Sequence, residues 1–186
     1  MVAGQYFLFG LLALGQSALG LPSSSGSGAS GILSSIDTIN SGVSTINSTL
    51  GTFSENSDVT STALKIQSEA TDLLNDINKG AQVAEKADTL DSDDQQKLYS
   101  ATVSLSDNVF SLLDGLVDKQ DVFKKAVLGG SADGLVDKDL ENLKKATDSF
   151  GQAIIKTLSG SVKDKGPALL KKIDSHFDTA IKAFSS

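Results

Sequence analysis

The sequence has no cysteine, no tryptophan and no arginine, with one histidine and two prolines among its 186 residues. Each absence removes a class of explanation. Without cysteine there is no disulfide framework and no thiolate nucleophile, so packing must hold any fold together. A single histidine, His176, cannot build an H-E-x-x-H zinc motif. No serine sits in G-x-S-x-G, and no glycine loop suits a phosphate. His176 lies between Ile173 and Phe177 and reads as a surface or edge residue, not a general base. The 16 basic residues are all lysines and face 23 acids, net −7, which argues against a nucleic-acid surface. The expectation is a protein with no catalytic residues, no metal and no cofactor.

Long hydrophobic runs are also scarce. Residues 6–14 suit the apolar core of a secretory signal peptide over residues 1–20, with Ala18-Leu19-Gly20 offering small residues for cleavage before Leu21. The usual positive start is missing, since the first lysine is Lys65, and the run is well short of the roughly 20 residues that span a membrane. Ala183-Phe184-Ser185-Ser186 shows no lipid-anchor tail. The chain therefore reads as secreted, extracellular or held in a cell wall, with no transmembrane segment. Residues 21–31, rich in Ser and Gly, read as a flexible linker to a domain over residues 32–186.

What that domain contains is helical periodicity. Residues 98–127 carry two adjacent apolar lines, one through Leu98, Leu105, Val109, Leu112, Leu116 and Phe123, the other through Val103, Phe110, Leu113 and Val117. Together they cover an arc of roughly 220°, wider than a surface helix needs, so this segment is expected to be the central helix of a bundle. Before it, a first helix carries Ile32, Ile36, Ile39, Val43, Ile46, Leu50 and Phe53 at spacings of four and three. A second, over about residues 58–86, has a thin stripe with four alanines. Ser92-Asp93-Asp94-Gln95 fits a capping box opening the central helix, and Gly129-Gly130 a stop. The acids Asp91, Asp93 and Asp94 lack the glycine and closing glutamate of a calcium loop. A fourth helix carries Val136, Leu140, Leu143, Phe150, Ile154 and Leu158, with Thr147 in one apolar place, and ends near Gly160. Residues 161–166 are expected to separate it from a fifth, whose first position suits Pro167 and which is lined by Leu170, Ile173, Phe177 and Ile181. The fold class is all-α: a five-helix, mainly antiparallel bundle.

Stripes of small and medium aliphatics are compatible with a filled core and with an apolar slot between the helices. If a slot exists, its expected lining is Ile39, Val43, Ile46, Leu73, Ile77, Val109, Leu112, Leu116, Phe150, Ile154, Ile173 and Phe177. Thr102, Ser106 and Gln120 fall inside the apolar arc of the central helix, bordered by Lys119. They are either neutral head-group donors for a bound lipid or are bonded to backbone and neighbouring helices. Asn47-Ser48-Thr49 is the one N-glycosylation acceptor.

Ile32-Leu33-x-x-Ile36-Asp37-x-Ile39, the run Val103-Ser104-Leu105 followed by Leu112-Leu113-Asp114, and Ile173-Asp174-x-x-Phe177-Asp178-x-Ala180-Ile181 together resemble the fungal hydrophobic surface-binding protein A family, also called cell wall galactomannoproteins. The resemblance implies a secreted or wall-associated helical mannoprotein. It implies a long-chain fatty acid, such as arachidonic acid, sequestered in a central cavity, and a link to antigenicity and virulence. It also implies an alternative: adsorption to hydrophobic surfaces and recruitment of secreted hydrolases.

Overall fold

The computed structural model describes residues 26–56, 58–126 and 132–185. Regular structure among them is entirely α-helical: α1 (Gly26–Thr52), α2 (Val59–Glu85), α3 (Ser92–Asp118), the short α4 (Gln120–Ala126), α5 (Ala132–Thr157) and α6 (Gly160–Phe184). The five long helices form a closed ring. Following the broad contacts around it, α1 packs on α2, α2 on α5, α5 on α6, α6 on α3 and α3 back on α1. In a regular ring, axes about 9 Å apart stand roughly 8 Å from the centre, whereas a helix with its side chains has a radius of about 5–6 Å. A gap of about 2 Å radius therefore runs along the axis, to be closed only by the side chains that reach into it.

Helix directions follow from contacts at the two ends. At the upper end α4 lies across α2, α5 and α3. There Phe123 of α4 packs against Phe53, ring centroids 4.6 Å apart, and edge-on against Phe184 at 5.7 Å. The Thr60 hydroxyl donates to the Ala126 carbonyl at 3.0 Å. At the lower end Gly28 packs on Ala87 and Leu90, and the Leu90 N–H donates to the Thr157 carbonyl at 2.9 Å. Hence α1, α3 and α6 rise while α2 and α5 descend.

Several expectations are corrected. The described residues form six helices, not five, and the expected central helix is one member of the ring. Its wide apolar arc is shared between α1, α6 and the axis. The arrangement is not mainly antiparallel: consecutive helices do reverse, but α1–α3, α2–α5 and α3–α6 meet in parallel. The reason is that the 87–91 connection carries the chain past α1 instead of returning it beside α2. The periodic run does not continue unbroken to residue 127. α3 stops at Asp118, where the Lys119 N–H folds back on the Gly115 and Leu116 carbonyls at 3.2 and 3.1 Å, and α4 sets off at a new angle that seats Phe123 among the aromatics. The expected Gly129-Gly130 stop and the signal segment lie outside the described residues.

Helix starts differ as well. α1 begins at Gly26, ahead of Ile32, so residues 26–31 of the expected linker are helical, and Ala29 is buried against the core. The cap of α3 is Asp91, whose side chain accepts from the Asp94 N–H at 2.9 Å, not Ser92. Gln95 is buried and does not close a capping box. Its amide donates to the Leu90 carbonyl at 2.6 Å and to the Ser159 hydroxyl at 2.9 Å, and its oxygen accepts from the Ser159 N–H at 2.9 Å. That latch ties α3 to the start of α6. α6 itself starts at Gly160, whose φ of +53° suits glycine, and Pro167 lies inside the helix. Two features make this proline tolerable. Gly166 before it has no Cβ to clash with the ring, and both Lys163 and Pro167 are exposed, so the carbonyl left without a partner faces water.

The α5–α6 seam is the tightest. A Cβ on Gly166 would sit 2.6 Å from Ile155 Cγ1, and one on Gly151 would sit 2.7 Å from Leu170 Cδ1. On the same seam the Oδ1 atoms of Asp148 and Asp174 are shielded from solvent and accept no hydrogen bond. Lys144 is drawn to Asp178 at 2.6 Å. Burial, then the facing Asp174 carboxylate, push Asp148 up to about 6.

Two predictions follow from this packing. Gly166→Ala should destabilise by about 1–3 kcal/mol, because Ile155 is crowded near its root. Gly51→Ala, exposed and with nothing within 4 Å of its added Cβ, should leave the fold unharmed or stabilise it by up to about 1 kcal/mol; thermal denaturation of both variants checks the contrast. The folded chain also holds the Asp148 proton more tightly than the unfolded chain. Stability should therefore fall as pH rises from the ordinary aspartate range of 3.8 through about 6. Asp148→Asn should raise Tm at pH 8 by roughly 2–4 °C, the effect of about 1 kcal/mol after solvent screening on its open side, and change it little at pH 4.

Candidate functional site

Three voids follow one another from the upper end of the ring to the lower, each sharing lining residues with the next. The upper one, about 120 Å³, lies between α2, α4 and α5 and opens toward solvent beside the exposed Leu64, with Ile46 of α1 and Leu112 and Leu116 of α3 at its inner wall. The middle one, about 70 Å³, is lined from all five long helices. The lower one, about 30 Å³, lies between α3, α5 and α6. Leu112, Leu116, Leu140 and Leu143 border both the upper and middle voids, while Thr102, Gly151, Ile154, Leu170 and Ile173 border both the middle and lower ones. The voids are thus segments of one channel partitioned by rotatable side chains. The upper chamber approaches the roughly 150 Å³ at which an apolar cavity takes up a ligand the size of benzene.

Most of the residues expected to line a slot come together here. Ile39, Val43, Leu73, Ile77, Thr102, Ser106, Val109, Leu112, Leu116, Phe150, Ile154, Ile173 and Phe177 all border the middle chamber, and Ile46 borders the upper one. Gln120 does not. It lies on α4 away from the channel, and its amide donates to the Ala183 carbonyl, holding α4 to the end of α6. The break at Lys119 moved it off the α3 face. The other two polar candidates are also bonded within the fold: Thr102 donates to the Leu98 carbonyl at 2.8 Å and Ser106 to the Val103 carbonyl at 2.7 Å. Their oxygens keep acceptor capacity toward the channel, and a donor role toward a ligand would need the hydroxyls to rotate.

Other lining residues were not among the expected ones. Leu140, Leu143 and Thr147 lie on the apolar stripe of α5, and that stripe was signal enough to include them. Thr60, Leu64, Gln67 and Asp139 at the upper chamber lie off any stripe. Leu64 is 61% exposed and had no periodic signal. Among the described residues no lysine or histidine lines any of the three voids, and Asp139 is the one charged residue that does. His176 sits outside, stacked on Phe110 at 4.2 Å with Nδ1 3.5 Å from Asp114. Asn47 stands half-buried at the edge of the α1 stripe.

The fold has solved counterparts. The chain matches the fatty-acid complex of Afmp4p, solved with palmitic acid, with a TM-score of 0.77 at 26% identity, covering 84% of this chain and 99% of that one. It matches ligand-binding domain 2 of the Penicillium marneffei MP1 protein, complexed with multiple arachidonic acids, with a TM-score of 0.76 at 18% identity, covering 84% and 96%; at that identity the likeness speaks for the fold. Cell wall mannoprotein 1 of Aspergillus flavus is 26% identical over 120 residues, 64% of this chain and 42% of the relative, so the chain spans under half of that protein's length. No helix among the described residues is long and apolar enough to cross a membrane. The pattern of the family described as hydrophobic surface binding protein A matches residues 29–156, from the first core residue of α1 to the last turn of α5. On that match the chain belongs to the hydrophobic surface-binding protein A family.

Proposed function

We propose that this protein is a secreted, non-enzymatic binder that sequesters a long-chain fatty acid in the axial channel. The observation that carries the reading is the row of apolar voids through the ring, each sharing lining side chains with the next. A sixteen-carbon chain is longer than any single chamber, so it must thread two of them. Leu112, Leu116, Leu140 and Leu143 line both the upper and middle chambers, and their rotation is the proposed way to join the two. Transfer of methylenes from water supplies the affinity, about 0.8 kcal/mol each before the costs of binding. Thr102, Ser106 and Thr147 offer neutral hydroxyls midway along the channel. The palmitic-acid complex of Afmp4p, the 26%-identical structure, supports the reading. Released from the cell or held in its wall, such a protein withdraws fatty acid from its surroundings, the property that would connect it to virulence. Asn47, half-exposed, is the proposed glycan acceptor.

The alternative, adsorption to a hydrophobic solid with recruitment of hydrolases, has less behind it. The apolar stripes face inward, and Leu64 and Val83 are the large apolar residues left exposed among the described ones. Adsorption would require the ring to open.

The deciding experiment is native mass spectrometry of the delipidated protein before and after adding palmitic and arachidonic acid. Near-stoichiometric adducts are expected; a spectrum that stays free of lipid would refute the proposal. Thr147→Phe should fill the middle chamber, cutting palmitate binding at least about tenfold while leaving Tm within a few degrees, since it fills a void and buries apolar surface. The secreted form should begin at Leu21, which N-terminal sequencing reads directly.

A further inference from the structure

The upper chamber has a chemical asymmetry that the apolar lining alone does not explain. A fatty-acid carboxylate needs a cation or several donors when it leaves water, and among the described residues the channel wall supplies no cation. The upper chamber instead presents a carboxylate of its own. Asp139 of α5 is half-buried beside Val136, Leu140 and Leu143, and among the described residues no hydrogen bond or ion pair is made to its side chain. Burial holds its carboxyl above the usual aspartate range, partly offset by the neighbouring Lys138. The faces that α2 and α4 turn toward the chamber carry Thr60 and Gln67 as their polar groups and no charge. A polar atom placed here therefore meets one hydrogen-bond acceptor that repels anions, with neutral groups opposite.

Resting on the lipid-binding reading, we infer that Asp139 is the specificity-determining residue of the upper chamber: it disfavours an ionised fatty acid there and accepts a hydrogen bond from the hydroxyl of an uncharged long-chain lipid. Such a lipid is a fatty alcohol or a monoacylglycerol. Its hydroxyl donates to the Asp139 carboxylate, its chain runs down past the four leucines, and no charge has to be desolvated beyond the one already present. An ionised fatty acid of the same length would set two carboxylates against each other in a half-apolar site, so it binds more weakly or with its carboxylate turned from this end.

The test compares palmitate with hexadecan-1-ol by displacement of Nile red from the full chain at pH 8, in the wild type, Asp139→Asn, Asp139→Lys and Asp118→Asn. Asp139→Asn should raise affinity for palmitate relative to hexadecan-1-ol by between about threefold and fiftyfold, the range for one unit charge roughly 7 Å away in surroundings between water and a protein surface. Asp139→Lys should raise it further. Asp118 is exposed and lines no chamber, so Asp118→Asn makes the same change in net charge and should leave the ratio alone. If both lipids bind and the ratio is the same in the Asp139 variants as in the wild type, or shifts equally in Asp118→Asn, the role of Asp139 is overturned while lipid binding stands. If neither lipid displaces the probe from any form, the lipid-binding reading falls, and this inference with it.

Discussion

Five helices arranged in a ring cannot close on their own axis, and the rest of this structure is a response to that constraint. Four helices in a bundle bring their apolar faces into mutual contact; a fifth pushes every axis outward until the centre lies beyond the reach of backbone packing. Only side chains can fill what remains. Here those side chains are leucines, isoleucines, valines and phenylalanines of limited reach, helped on α2 by alanines that occupy little. The axis is therefore filled in places and empty in others. α4 and the Phe53–Phe123–Phe184 cluster close the upper end, and the Gln95 latch closes the lower one.

Seams that must not open are secured differently from the axis. Where α5 meets α6, glycines at 151 and 166 leave the space of a Cβ to Leu170 and Ile155, and at 166 the Ile155 Cγ1 holds that space close to its root. The Asp148–Asp174 pair lies on the same seam, so its closest contact is also where charge is least welcome. Gln95 shows how a buried polar group is accommodated: its amide hydrogens and its oxygen both find partners, which makes it a directional fastener between α3 and α6. The hydroxyls of Thr102 and Ser106 are likewise turned into their own helix. Two of the polar groups nearest the middle void are thereby already engaged.

The lysines complete the separation. Lys165 lies over the Tyr99 ring at 5.6 Å and Lys172 over Phe110 at 4.6 Å, both on the outer side of their rings, so cationic charge rests on the outside of the wall. A chain without arginine has no planar, weakly hydrated cation to spare for the interior. Among the described residues the voids are lined by apolar side chains, a few neutral polar groups and one carboxylate, that of Asp139.

The sequence by itself determined the all-helical class, the boundaries of α2, and nearly all of the lining on α1, α2, α3, α5 and α6, because inward-facing residues repeat at the helical period wherever a face is buried. It also carried the family, through motifs that are themselves stripes. Tertiary structure alone decided that these stripes surround an axis instead of meeting in a filled centre. Periodicity records that a face is buried but not which neighbour covers it, so the parallel pairs, the crossing at residues 87–91 and the sharing of the α3 arc were invisible. The break at Lys119 was hidden for a similar reason. No glycine or proline marks it, and Phe123 keeps the period although its burial comes from Phe53 and Phe184, far away in sequence. Asp139 and Gln67 were out of reach too. A polar residue beside an apolar stripe looks like ordinary surface until α2 and α4 are seen to wall it in.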